Sequence, residues 1–278
     1  MKSTCLSKLA VGLAMIGMAG LAEANPVISD GLVAAYEFNG NANDSSGNGY
    51  NGIVNGAALT TDRFGNANSA YSFNGSSSKI SSPVDANLSV SQVTLSAWIN
   101  ASGQGGYATP TIVQINPGSD NPYGISPQSP YYGLNFALWH EYPHTAQLYT
   151  TVAPHGADAV RATAPIYNDN WYQIAATFDG SYVNIYLDGV LNNTQLYPHP
   201  LFTFNSGILA IGYSEGNYDW FNGTIDDVDI YNRALTATEI GTLYTAPNPV
   251  PEPESYAMLL AGLGLLRFVA RRRKQQAA

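Results

Sequence analysis

The chain has 278 residues and its charge is uneven: from Asn25 to Val250 there are seventeen acidic residues against four basic ones (Arg63, Lys79, Arg161, Arg233), a net charge of −13. So acidic a surface repels nucleic acid and anionic lipid and suits cations and neutral sugars. The single cysteine, Cys5, precedes all of this, which excludes a disulfide framework and a thiolate metal site from the rest of the chain.

The first segment, 1–24, carries Lys2 and Lys8, the apolar run Leu9 to Leu21, then Ala22-Glu23-Ala24. It predicts a secretory signal peptide read by the Sec export machinery and cut before Asn25. The run is short of the roughly 20 residues that a membrane span needs. Residues 25–246 follow as one unit. Short, β-rich apolar segments bounded by Gly, Asn, Asp or Pro predict strands at Leu32–Phe38, Ala70–Phe73, Val93–Asn100, Thr111–Ile115, Tyr132–Trp139, Gln147–Val152, Trp171–Phe178, Tyr182–Leu187, Ile208–Tyr213 and Thr224–Tyr231. Asp179-Gly180 predicts a hairpin turn, and Asp188-Gly189 starts another. The fold class is all-β, a sandwich or jelly roll.

The last strand organises the reading. Ile225, Asp227, Asp229 and Tyr231 alternate with Asp226, Val228 and Ile230, the period of a strand with one half-buried face. Asp is depleted in sheets, so something must offset this charge, and a bound cation is the simplest candidate. Thr236 and Glu239 then have capping-box spacing, and Ile240, Leu243 and Tyr244 recur at helical spacing, predicting one short helix.

Binding is expected on the looser stretches Ser102–Thr109, Asn116–Tyr131 and His140–Ala164. Aromatic faces stack on sugar rings while amides and hydroxyls bond to their oxygens. Tyr123, Tyr131, Tyr132, Tyr142 and Trp220, with His140 and Asn135, are the candidates; Trp98 and Trp171 are expected in packing instead. Two enzymatic patterns match by letter only. His140-Glu141-Tyr142-Pro143-His144 fits H-E-x-x-H, but that chemistry needs a helix, which Pro143 disrupts. Gly212-Tyr213-Ser214-Glu215-Gly216 fits G-x-S-x-G, but no histidine follows it and a strand replaces the required helix.

The C-terminus is a separate unit. Residues 247–254 form a proline-rich linker with Pro251-Glu252-Pro253, and 255–278 hold an apolar run, interrupted by Arg267, before Arg271-Arg272-Arg273-Lys274. The run predicts a transmembrane helix whose basic end stays in the cytoplasm.

Two resemblances follow from these residues. Gly223-Thr-Ile-Asp-Asp-Val-Asp-Ile-Tyr-Asn-Arg-Ala-Leu235, with Gly31–Phe38 and Asp44-Ser-Ser-Gly-Asn-Gly49, resembles the laminin-G-like (concanavalin A-like lectin/glucanase) domains. That implies a concanavalin A-like jelly roll. It also implies a Ca²⁺ site, with Asp44, Asn48 and Asp226 as its ligands. The tail resembles the PEP-CTERM sorting signal of Gram-negative bacteria. That implies an exosortase partner, a passing stay in the inner membrane and a final place on the cell surface or in the extracellular matrix. The expected activity is non-catalytic binding of extracellular polysaccharide or glycoprotein glycans. The alternatives are a glycoside hydrolase of the same fold, whose Glu-x-Asp-x-x-Glu run is missing here, and a matrix protein with no ligand of its own.

Overall fold

The computed structural model describes residues 28–103, 109–116, 134–141, 145–152, 159–198, 200–201, 204–214 and 219–246. These form fifteen strands: β1 (Leu32–Tyr36), β2 (Ile53–Asn55), β3 (Ala58–Thr60), β4 (Ala70–Asn74), β5 (Lys79–Asp85), β6 (Val93–Ala101), β7 (Thr111–Asn116), β8 (Leu134–Glu141), β9 (Thr145–Val152), β10 (Ala159–Tyr167), β11 (Trp171–Phe178), β12 (Tyr182–Leu187), β13 (Val190–Leu196), β14 (Ser206–Ile211) and β15 (Asn222–Tyr231). One helix follows, α1 (Ala237–Thr245). The strands make two antiparallel sheets. One runs β13-β12-β11-β6-β15-β4-β3, with β1 also on β15; the other runs β10-β9-β8-β7-β14-β5-β2.

The core lies between the sheets. Tyr36, Phe38, Leu95, Ile99, Ile185, Phe221 and Val228 meet Ile80, Ile112, Phe136 and Leu209 there, all buried. Each such side chain contributes about 1.5–3 kcal/mol by leaving water. A smaller cluster on the outer face of the eight-stranded sheet holds α1 down, through Ala175, Tyr186, Tyr231, Leu235 and Ile240. The helix starts as its sequence predicts. Thr236 caps the Glu239 N–H, Glu239 reaches back to the Thr236 N–H, and Arg233 clasps the same carboxylate at 2.6 Å.

The predicted hairpin is present: the Asp179 carboxylate accepts from the N–H groups of Ser181 and Tyr182, and Gly180 takes φ +96°. Five strands lie outside the sequence prediction: β2, β3, β5, β10 and β13. Two of them contain a proline, a residue confined in sheets to edges and irregular positions. Pro83 sits in β5 opposite Ile208, and Pro165 borders the bulge of the edge strand β10. That bulge is sealed from the other sheet, where Asn192 accepts from the Thr163 N–H and Asn193 donates to the Arg161 carbonyl.

The alternation read along β15 needs correction. Ile225, Val228 and Ile230 all face the core, while Asp226 and Asp227 turn outward together to Arg63. A bulge between Asp226 and Asp229, with Asp227 at φ +44°, shifts the period by one. The physical reason is a change of neighbour. One half of β15 pairs with β4 (Asn222–Ile225) and the other half with β1 (Val228–Tyr231). Asp226 and Asp227 occupy the join, where Asp226 Oδ1 accepts from the Asp227 N–H.

Candidate functional site

The outer face of the seven-stranded sheet is polar where it is best buried. In β7, Ile112, Val113 and Ile115 belong to the core, which leaves Thr111, Gln114 and Asn116 on the other side, all buried. Gln114 lies in a row across five strands, formed by Ser81, Ala210, Gln114, Asn135 and Thr151. At one end of the face the Trp220 ring stacks on Tyr213, with centroids 5.6 Å apart, and the Lys79 ammonium lies 4.9 Å over Tyr213. Asp219 is beside them; its carbonyl accepts from the Thr111 N–H. The hydroxyl oxygens of Thr111 and Ser214 are buried with no hydrogen-bond partner among the described residues. Buried hydroxyls without partners are costly and uncommon; Thr111 is joined to Asp219 through its N–H, and Ser214 follows Tyr213 in the chain. An aromatic face beside unsatisfied hydroxyls, amides and a carboxyl suits a polyhydroxylated ligand.

Burial pushes the Asp219 carboxyl up to about 6, against a hydrogen bond from the Thr109 side chain. The native state therefore holds this proton more tightly than the unfolded chain. The stability it contributes is complete below about pH 4 and is lost as pH rises toward 6. Asp219→Asn is expected to remove that slope, leaving the variant about 1–3 kcal/mol more stable than the parent at pH 7. Urea unfolding at pH 4, 5, 6 and 7 measures it, and parallel slopes in parent and variant contradict it.

The expected ligand residues divide. Tyr123, Tyr131, Tyr132 and Tyr142 lie outside the described residues, and Trp220 is on the face just described. Asn135 is in β8, within the strand that the sequence predicts, and His140, expected at the start of a loose stretch, extends it; the strand's antiparallel pairing with β9 continues through Glu141. Asn135 occupies the position opposite Gln114. The strand also answers the H-E-x-x-H pattern, since His140 and Glu141 are not on a helix. Gln114, Thr111 and Asp219 were missed because two read as ordinary strand residues and the third as part of a turn.

The residues implied as calcium ligands take separate partners. Both oxygens of Asp44 are engaged: Oδ1 accepts from the N–H groups of Ala35 and Ser46, and Oδ2 from that of Tyr50. Burial pushes this carboxyl up, but the hydrogen bonds from Ser46, Ala35 and Tyr50 outweigh it and bring it below the usual carboxylate range. The Asn48 amide donates to the Val33 carbonyl at 2.9 Å. Asp226 is fully buried and pairs with Arg63 at 3.1 Å, while Asp227 pairs with the same nitrogen at 2.7 Å. Burial and Asp227 push the Asp226 carboxyl up, and Arg63 opposes them. Arg63 thus offsets Asp226 and Asp227, while burial, Asp227 and Glu37 push the Asp229 carboxyl well above its usual range. Among the described residues no group of three or more His, Cys, Asp or Glu is placed to hold a metal.

Residues 74–241 match the model of the concanavalin A-like lectin/glucanases superfamily, and the chain belongs to this family. Residues 249–274 match the PEP-CTERM protein-sorting motif, the mark of an exported protein sorted by an exosortase. Pro251, Glu252, Pro253, Arg271, Arg272 and Arg273 lie outside the described residues, among which no helix is long and apolar enough to cross a membrane. No curated protein matches the chain.

Solved structures share the fold at low identity. Domain 4 of AbnA, a GH43 extracellular arabinanase from Geobacillus stearothermophilus, in complex with arabinotriose, is 22% identical with a TM-score of 0.57; the match covers 77% of this chain and 98% of that domain. The binding domain of Paraclostridial Mosquitocidal Protein 1 is 14% identical with a TM-score of 0.58, over 78% of this chain and 52% of that one. The botulinum neurotoxin serotype D ligand binding domain, in complex with N-acetylneuraminic acid, is 17% identical with a TM-score of 0.55, over 78% and 51%. The chain thus spans about half the length of the two toxin fragments.

Proposed function

We propose that the protein is a non-catalytic glycan-binding module of the cell surface or extracellular matrix, with its ligand on the outer face of the seven-stranded sheet. The observation that carries this is the Trp220–Tyr213 stack next to Asp219 and to Thr111, whose hydroxyl is buried without a partner among the described residues, as is that of Ser214, which follows Tyr213. The saccharides bound by two proteins of the same fold support it. Hydrolysis would need a second carboxylate working with the first, and the Glu-x-Asp-x-x-Glu run of the hydrolases of this fold is missing from the sequence. In this reading residues 1–24 direct export. The C-terminal apolar run then holds the chain in the inner membrane until an exosortase removes the tail.

The test is binding of extracellular polysaccharides and arrayed glycans, with reducing ends assayed in parallel. Trp220→Ala is expected to weaken binding about tenfold, the worth of one aromatic stack, with no reducing ends released by either protein. Reducing ends that disappear in Asp219→Asn would make this a hydrolase. No binding to any glycan would leave the matrix-protein reading.

Calcium, in this reading, does not bind at Asp226. Its place is the cleft lined by Glu37, Asn39, Asn41, Asn43 and Asp44. There Asn39 Oδ1 is buried with no partner among the described residues, and hard cations take such oxygens. Millimolar calcium is expected to raise the melting temperature by several degrees and to leave that of Asp44→Asn unmoved. The absence of any rise in the parent protein removes the ion.

A further inference from the structure

On the outer face of the eight-stranded sheet the Arg63 guanidinium is sandwiched between two rings, 4.3 Å from the centroids of both Phe64 and Trp98. Trp98 in turn stacks on Tyr244 of α1, with centroids 5.7 Å apart and planes at 17°. Tyr244 packs on the β12–β13 turn so closely that a Cβ on Gly189 would lie 2.9 Å from its own Cβ. Leu191 follows that turn on the same face, where it pairs with Tyr186 of the cluster beneath α1; Val190 pairs with Leu187 and takes the other side of β13, at the edge beside the turn. The strip is apolar and open to solvent, with Phe64 54% and Leu191 48% exposed. Large exposed apolar groups in a continuous patch mark an interaction surface.

Two facts say what covers it. The chain leaves the domain at Ala246, two residues beyond Tyr244, and the apolar run of the sorting tail begins at Tyr256. Ten residues reach at most about 35 Å, so the strip is tethered close to any bilayer that holds the tail. Three acids near it are answered within the protein, Asp226 and Asp227 by Arg63 and Glu239 by Arg233, while burial, Asp227 and Glu37 push the Asp229 carboxyl up toward its neutral form. A domain with a net charge of −13 would be held off an anionic surface by its other faces. This face offers Trp, Tyr and Phe rings, of which Trp and Tyr are enriched at membrane–water interfaces.

We propose that the strip formed by Phe64, Trp98, Tyr244 and Leu191, with Val190 at its edge, docks on the lipid surface in which the sorting tail is held. The inference rests on the reading of the tail as membrane-held. Docking leaves the polar face of the opposite sheet turned away from the bilayer and presents the linker to the membrane in a fixed orientation. Tyr244 is the link between the two: it belongs to the strip and to the last turn of the helix from which the linker departs.

The full chain, carrying Cys5→Ser and either Val190→Cys or Ser76→Cys, is labelled with an environment-sensitive fluorophore. It is then reconstituted into phosphatidylcholine–phosphatidylethanolamine vesicles containing brominated lipid. Ser76 is exposed in the turn after β4, five strands away from β13 across the sheet. Quenching at least twofold stronger at position 190 than at position 76 is the expected result. Equal quenching at both sites, or none at either, in chains that float with the vesicles overturns the docking and leaves the tail's insertion intact. Failure of the chain to float overturns both. Quenching at 190 that soluble oligosaccharide reverses also overturns it, by making the strip a glycan platform.

Discussion

Arg63→Ala is expected to cost the domain about 3–5 kcal/mol at pH 7, the range for removing one partner of a buried ion pair. Arg63 Nη1 is shared by two carboxylates, at 3.1 Å to Asp226 and 2.7 Å to Asp227, and Asp226 has no exposure of its own. Without the guanidinium, two adjacent carboxylates face each other at the join of β15 with nothing to offset them. The space between Phe64 and Trp98 empties as well. The remaining response is protonation. Folded-state values for both acids already lie above the unfolded one, and loss of Arg63 pushes them further. For an acid raised on folding, its stabilising contribution is complete below about pH 4 and fades as pH climbs through the folded value. The variant therefore regains part of its loss on acidification, and adding Asp226→Asn and Asp227→Asn restores part of it at pH 7. Urea unfolding of the three proteins across pH 4–8 is the measurement. A loss under about 1 kcal/mol, flat with pH, would class the triad with ordinary solvated pairs.

That triad shows where sequence reading works and where it stops. The carboxylate-rich strand and its need for a positive partner were visible in Asp226-Asp227-Val228-Asp229, since charge in a strand must be answered wherever it lies. The partner was not visible, because Arg63 is 163 residues away and no periodicity links it to Asp226. Strict alternation also misplaced Ile225 and Asp226. A bulge is set by which strands flank β15 on each side, a property of topology that β15 does not carry alone. The capping box at Thr236 and the turn at Asp179-Gly180 were legible because their partners are three residues away or fewer. Calcium ligation by Asp44 came from resemblance; what was not legible is that its carboxylate also staples the loop through three N–H groups, of Ala35, Ser46 and Tyr50. The site on the seven-stranded sheet was the least legible. Gln114 matters because of the row it joins, and a row across five strands appears only once the register is known.

Gly223→Ala is expected to lose at least about 3 kcal/mol, while Gly241→Ala in the same chain gains about 0.5–1 kcal/mol. The opposite signs follow from what a methyl group meets. Gly223 has φ +143°, where L side chains rarely go, and its added Cβ would lie 2.2 Å from the Asn100 carbonyl oxygen and 2.9 Å from the Ala101 Cα. Both obstacles are backbone of β6, so neither can rotate away. The strand must separate from β6 at the end where Asn222–Ile225 also holds β4. Gly241 lies within α1 with nothing within 4 Å of its added Cβ, so alanine there only reduces the freedom of the unfolded chain. The damage at Gly223 reaches the glycan face because β15 is entered through Asp219-Trp220-Phe221. The Phe221 N–H donates to the Gly212 carbonyl, and the Asp219 carbonyl accepts from Thr111. A shift of β15 pulls on both bonds and moves Trp220 off Tyr213. Gly223→Ala protein that folds at low temperature should therefore bind glycan more weakly than its surviving fold would suggest, whereas Gly241→Ala binds as the parent does. Equal binding by the two variants would separate the strand from the face and show that β7 and β14 position the ligand residues alone.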